Sequence, residues 1–115
     1  MTNKYKKYTD EAKVYDVAKR TPLDYQALLS TRLNNQIYLK REDLQSVFSF
    51  KIRGAYNKLT HLDKKIRDKG IIAASAGNHA QGVAMAAKTL GCKATIVMPK
   101  TTPTIKTNAV RKFGA

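Results

Sequence analysis

This sequence predicts an α/β fold with a parallel sheet, and three features carry that prediction. Two short apolar runs, Ile71 to Ser75 and Ala94 to Met98, flank a segment from Asn78 to Leu90 in which Ala80, Val83, Ala84, Ala87 and Leu90 share one helical face. Strand, helix and strand within 28 residues make a βαβ unit, whose strands run parallel and whose crossover is expected to be right-handed. Amphipathic helical spacing recurs on both sides of this unit, in Ala55, Tyr56, Leu59 and Leu62 before it and in Ile105, Ala109, Val110 and Phe113 after it.

From the amino terminus, Thr9 reads as an N-cap for a helix with Asp10 and Glu11 in its first turn and Ala12, Tyr15 and Ala18 on one stripe. Thr21-Pro22 ends it. The stretch from Leu23 to Leu33 is mixed, a short strand and a helical turn. Asn34-Asn35 marks a turn, and Gln36 to Lys40 alternates as a strand with Ile37 and Leu39 on one face. Ser49 reads as the N-cap of the next helix, which places Lys51 in its first turn. The charged run from Lys64 continues that helix to a stop at Gly70, Gly91 closes the helix between the two strands, and Thr102-Pro103 starts the last one.

Two clusters of residues carry chemistry. In Val47-Phe48-Ser49-Phe50-Lys51-Ile52-Arg53-Gly54-Ala55, aromatic residues flank a lysine, and burial there would favour the neutral amine that attacks an aldehyde. In Ser75-Ala76-Gly77-Asn78-His79, a strand's carboxyl end meets a helix start, where unpaired N–H groups and the positive end of the helix dipole suit an anion. Each cluster alone also reads blandly, the first as a surface lysine in a lysine-rich chain and the second as a helix N-cap supplied by Ser75 or Asn78.

Taken together, Glu42 with Val47, Ser49-Phe50-Lys51 and Arg53-Gly54-Ala55, followed by Ser75-Ala76-Gly77-Asn78-His79-Ala80-Gln81-Gly82, resemble the two signatures of the serine/threonine dehydratase family. Thr21-Pro22-Leu23 and Ile37 to Asp43 add to the likeness, which is greatest toward the threonine dehydratases of the isoleucine-biosynthetic type and covers about residues 12 to 115. The resemblance implies an incomplete fold-type II enzyme related to the β-subunit of tryptophan synthase. Residues 1–55 would be the amino-terminal part of its large domain and residues 56–115 the start of its small, mobile one. It implies pyridoxal 5'-phosphate as cofactor, attached to Lys51 as a Schiff base, with Lys51 also taking the substrate's α-proton. Asn78 would hydrogen-bond the cofactor's 3-hydroxyl, and Ser75, Gly77, Asn78 and His79 would hold the substrate carboxylate largely through their backbone. His79 is placed by the motif as loop geometry rather than as a general base. No metal is expected.

The implied reaction is dehydration and deamination of L-threonine to 2-oxobutanoate and ammonia, with L-serine giving pyruvate by the same steps. Serine racemases resemble the chain across both motifs. They carry a second serine as acid/base where this sequence has Ala76, which favours dehydration. The family's glycine-rich phosphate loop and its pyridine-nitrogen contact find no counterpart in these 115 residues. The expectation is therefore an amino-terminal fragment without appreciable turnover on its own, from a whole enzyme that assembles as a homotetramer.

Composition leaves two readings beside this one. The net charge of +14 favours polyanions, so a basic nucleic-acid-binding module must be weighed. Its basic residues are scattered from Lys4 to Lys112 without interleaved aromatics, and the cluster Lys4-Tyr5-Lys6-Lys7-Tyr8 reads as a frayed terminus. A non-catalytic remnant is the other. The single Cys92 fits a reducing compartment, no apolar run approaches the roughly 18 residues of a membrane span, and no signal peptide is visible. A cytoplasmic protein is expected, with neither membrane nor nucleic acid as partner.

Overall fold

A computed structural model describes residues 4–115. Helix α1 (Lys4–Asp10) lies earlier than the sequence predicts, and Thr9 is in its last turn, where its Oγ1 donates to the Tyr5 carbonyl at 2.9 Å. Lysines and acids four apart stabilise this helix, Lys6 with Asp10 at 2.6 Å and Lys7 with Glu11 at 3.7 Å. The basic cluster is therefore helical rather than frayed. Ala12, Tyr15 and Ala18 follow it around a 3-10 turn at Val14–Asp16, which delivers Ala18 into the core.

Strands β1 (Leu23–Tyr25) and β2 (Tyr38–Lys40) pair antiparallel around helix α2 (Ala27–Leu33), with Tyr25 opposite Tyr38 and their ring centroids 5.2 Å apart. Asn34 ends α2 at φ +47°, the left-handed conformation that asparagine tolerates and that makes the predicted turn.

Helix α3 (Lys51–Thr60) buries Ile52, Ala55, Tyr56 and Leu59, a spacing of three, four and seven that forms one stripe. It stops at His61, whose Nδ1 lies 2.7 Å from the Asn57 carbonyl, so the charged run beyond forms a separate one-turn helix α4 (Lys64–Arg67) instead of continuing α3. Gly70, at φ +93°, turns the chain into β3 (Ile71–Ala74).

The predicted βαβ unit is present: β3, α5 (Asn78–Thr89) and β4 (Ala94–Val97), with Ile71 beside Ala94 and Ala74 beside Val97 in a parallel pair. Helix α6 (Thr104–Arg111) follows, with Pro103 at its N-cap. α5 is buried on more than one face because it contacts α3, both strands and α6. Its alanines make this possible, since small side chains let several neighbours approach closely. Val83, Ala86 and Ala87 join Ile52, Ala55 and Leu59 in the main core, and Ala80, Ala84 and Val110 form a smaller one toward α6.

Gly91 holds φ +65°, and a Cβ there would meet nothing within 4 Å. Conformational strain is the main term when alanine replaces it. Gly91→Ala is expected to lower unfolding stability by about 1 kcal/mol, measured as a shift in the denaturant midpoint. An unchanged midpoint would show that the turn leaves the left-handed region at no cost.

The chain is flat and open. Its radius of gyration is 17.0 Å over extents of 51 × 48 × 19 Å, against about 13 Å for a compact domain of this length. One face of the β3–β4 pair, carrying Ile72 and Val97, is uncovered, as are Leu28 and Ile105.

Candidate active site

The loop after β3 begins where Ser75 N–H reaches the Val97 carbonyl at 3.0 Å, the last rung of the parallel pair. Ser75 Oγ then accepts from Gly77 N–H at 3.3 Å. Neither Ser75 nor Asn78 caps the helix: Gly77 is the N-cap residue of α5, and no side chain bonds to the first turn. The N–H groups of that turn face outward at the positive end of a 12-residue helix. Gly77 has an ordinary φ of −125°, and a Cβ there would meet nothing within 4 Å. Nothing within the described residues requires glycine at 77; what its missing side chain leaves clear is the space in front of the helix end. Asn78 and His79 are exposed at this end, with His79 on the rim of an apolar groove lined by Lys58, Leu62 and Ile72.

Lys51 is the first residue of α3 and is exposed, its Nζ 4.7 Å from the centre of the Phe50 ring. The expected aromatic enclosure is not formed, since Phe48 and Phe50 are 76% and 57% exposed. Ser49 does not cap α3 either. Phe50 occupies the N-cap position in helical conformation, and Ser49 Oγ is buried without a hydrogen-bond partner. One residue earlier, Phe48 adopts φ +54°, a costly conformation for an aromatic residue, and its N–H bonds to the Gln45 carbonyl at 2.8 Å.

What anchors the start of α3 is Glu42. Its carboxylate accepts both Nε and Nη2 of Arg53 at 2.8 Å, Thr21 Oγ1 at 2.6 Å and Gln45 Nε2 at 3.2 Å. The Arg53 guanidinium, with smaller help from Thr21 and Gln45, holds the Glu42 carboxyl down at about 2. Gln45, 1% exposed, pairs with both the N–H and the carbonyl of Lys19 at 2.9 Å, as a strand neighbour would.

The two clusters meet through a backbone contact. A Cβ at Gly82, in the second turn of α5, would stand 3.0 Å from the Lys51 carbonyl carbon. The first residue of α3 thus rests on α5 four residues from Asn78, about 6 Å along the helix axis. An accessible primary amine beside an uncapped helix N-terminus with free space in front is a donor set that fits a phosphorylated aldehyde and an amino-acid carboxylate.

Residues 14–115 match the family model described as "Pyridoxal-phosphate dependent enzyme". The chain belongs to this family. Among pyridoxal-phosphate dependent enzymes it is similar to threonine dehydratase 1, biosynthetic, of Solanum lycopersicum, with 61% identity over 90% of this chain and 17% of that protein. It is also similar to the biosynthetic L-threonine dehydratase of Pasteurella multocida, with 57% identity over 96% of this chain and 21% of that protein. The solved processed form of threonine deaminase isoform 2 from Solanum lycopersicum superposes with a TM-score of 0.91 at 52% identity, covering 100% of this chain and 32% of that one. Maize serine racemase superposes with a TM-score of 0.88 at 33% identity, over 96% of this chain and 33% of that one. Sequence identity therefore runs higher toward these threonine enzymes than toward this racemase. The chain spans about a fifth of the curated relatives it matches. The expected α/β fold of a pyridoxal-phosphate dependent enzyme, with its parallel strands, is borne out. Among the described residues no helix is long and apolar enough to cross a membrane. Relatives differ in compartment by name, the tomato protein being chloroplastic and a Schizosaccharomyces pombe threonine dehydratase mitochondrial.

Proposed function

We propose that this chain supplies the lysine and the carboxylate-binding loop of an enzyme that dehydrates and deaminates L-threonine to 2-oxobutanoate and ammonia, the first step toward isoleucine. The observation that carries the reading is the uncapped end of α5, kept clear by Gly77 and resting against Lys51 through Gly82. Identity of 61% to a biosynthetic threonine dehydratase supports it.

Pyridoxal phosphate, when bound, supplies an electron sink that makes the substrate Cα–H acidic. Lys51 Nζ would hold the cofactor through its aldehyde carbon, and the same amine would accept the substrate's Cα proton. Backbone N–H groups at Asn78 and His79, joined by that of Gly77 once it leaves Ser75 Oγ, would receive the carboxylate and orient that Cα, while Ser75, whose N–H is held by the Val97 carbonyl, has its hydroxyl to offer. The Asn78 side-chain amide is assigned to the cofactor's 3-hydroxyl. Ala76 offers no proton to the opposite face, which directs the chemistry to elimination rather than racemisation. Glu42 and Arg53 touch no reactant in this scheme; they hold the turn that carries Lys51.

The same reading makes the protein a homotetramer in the cytoplasm and divides the chain near residue 55 between two domains. α3 runs unbroken through that position, and its Ile52 and Leu59 share one core with Val83.

The test is an assay of the full-length protein with L-threonine and pyridoxal phosphate. Threonine-dependent 2-oxobutanoate and ammonia in equal amounts are expected. Conversion of L-serine to D-serine with no 2-oxobutanoate from threonine would put a racemase in its place.

A further inference from the structure

We propose that Gly82 is a positioning residue for Lys51: the absence of a side chain at 82 sets where the first turn of α3 rests on α5, and so where the Lys51 amine stands relative to the anion-binding helix end. This rests on the role given to Lys51 under Proposed function. A Cβ at 82 would lie 3.0 Å from the carbonyl carbon of Lys51, 3.1 Å from its oxygen and 3.2 Å from the Ile52 nitrogen. All three are backbone atoms of one peptide group. A flexible side chain could swing away from such an intrusion, but a peptide in a packed helix moves only with its turn. The displaced turn is the one that begins with Lys51.

Nothing else asks for glycine at this position. Gly82 lies inside α5, where alanine is the better helix former. The contrast with Gly54 and Gly77 is direct, since a Cβ at either would meet nothing within 4 Å. Gly82 is glycine because of the Lys51 peptide, and its neighbour Val83, 3% exposed in the main core, provides the matching structural control.

The experiment uses the full-length protein loaded with pyridoxal phosphate and compares Gly82→Ala with Val83→Ala. Three signals are read: the fraction of Lys51 trapped on the cofactor by borohydride, located by peptide mass; the pH titration of the lysine-bound cofactor's absorbance; and kcat separately from KM for threonine. A displacement of a few tenths of an ångström at a reacting group is expected to lower kcat roughly tenfold, with KM changed much less, and to shift the absorbance titration. Val83→Ala is expected to lower the thermal midpoint while leaving the titration and kcat near those of the unsubstituted protein. Gly82→Ala behaving like the unsubstituted protein, or both variants shifting all signals together, overturns the proposal. So does a Gly82→Ala protein that yields no folded material even after refolding with excess pyridoxal phosphate, which would make the glycine a requirement of the fold alone. Failure to trap Lys51 in the unsubstituted protein is a separate result: it removes the proposed function, and this inference with it.

Discussion

Lys51→Ala in the full-length protein is expected to reduce 2-oxobutanoate formation by at least a factor of about a thousand, because one side chain is asked both to hold the cofactor and to move the Cα proton. The loss should be catalytic rather than structural. Lys51 is exposed, its Nζ lying over the Phe50 ring at 4.7 Å, so its removal opens no cavity in the core. The thermal midpoint should stay close to that of the unsubstituted protein, surface substitutions of this kind costing within about 0.5 kcal/mol. Borohydride should no longer fix the cofactor to the peptide containing residue 51. Lys51→Arg separates charge from chemistry, since a guanidinium keeps the charge but stays protonated and cannot attack the aldehyde. It should be as inactive as the alanine variant. A Lys51→Ala protein that retains a substantial part of its turnover would move the reaction to another group and end the proposed assignment.

How much of this was readable beforehand depends on how local each feature is. The βαβ unit was readable because the runs at Ile71 and Ala94 and the alanine-rich helix between them each declare themselves within a dozen residues. The stripe of α3 was readable for the same reason. The helix at Lys4–Asp10 was misplaced because Thr9 and Asp10 resemble a start signal, and an (i, i+4) pair such as Lys6–Asp10 supports a helix ending there equally well. The cap of α3 was missed because Phe48 takes a left-handed conformation that no aromatic residue announces. The aromatic flanks of Lys51 were legible as residues but not as an enclosure, since what covers Phe48 and Phe50 is not decided by the neighbouring sequence.

Long-range contacts were the least legible part of the site. Gly82 stood in the second motif without a role, and only its approach to a peptide 30 residues away in sequence reveals one. Glu42 was equally silent. Its one sequence signal is an acid and a base, Glu42 and Arg53, 11 residues apart on either side of the lysine. Periodicity cannot tell such a pair from two solvated charges. The resemblance to a family points to the residues, and the structure supplies a physical reason for two of them, Gly82 and Glu42.

Glu42→Gln is expected to be the most damaging of the isosteric substitutions in this region, costing about 2–4 kcal/mol at neutral pH. The side chain is 14% exposed and its partner Arg53 23%, so solvent screens the pair only weakly. Glutamine keeps the shape but offers one acceptor where Arg53 brings two donors, and it leaves a guanidinium partly buried without its counter-charge. The pH dependence identifies the cause. In the folded protein Glu42 titrates at about 2, against an ordinary value of 4.5. A depressed folded value means that the charged form contributes its full stabilisation above pH 4.5, and that this contribution falls away as pH drops toward 2. The difference in urea midpoint between the unsubstituted protein and Glu42→Gln should therefore be constant from pH 5 to 8 and shrink steadily below pH 4.5. A difference that persists undiminished at pH 2.5 would assign the effect to lost packing. One that grows above pH 5 would point to a different titrating group. Because Arg53 lies two residues beyond Lys51 on the same turn, the destabilised variant should also lose a larger share of its activity than of its folded population at pH 7, as the turn that presents the lysine loosens before the core does.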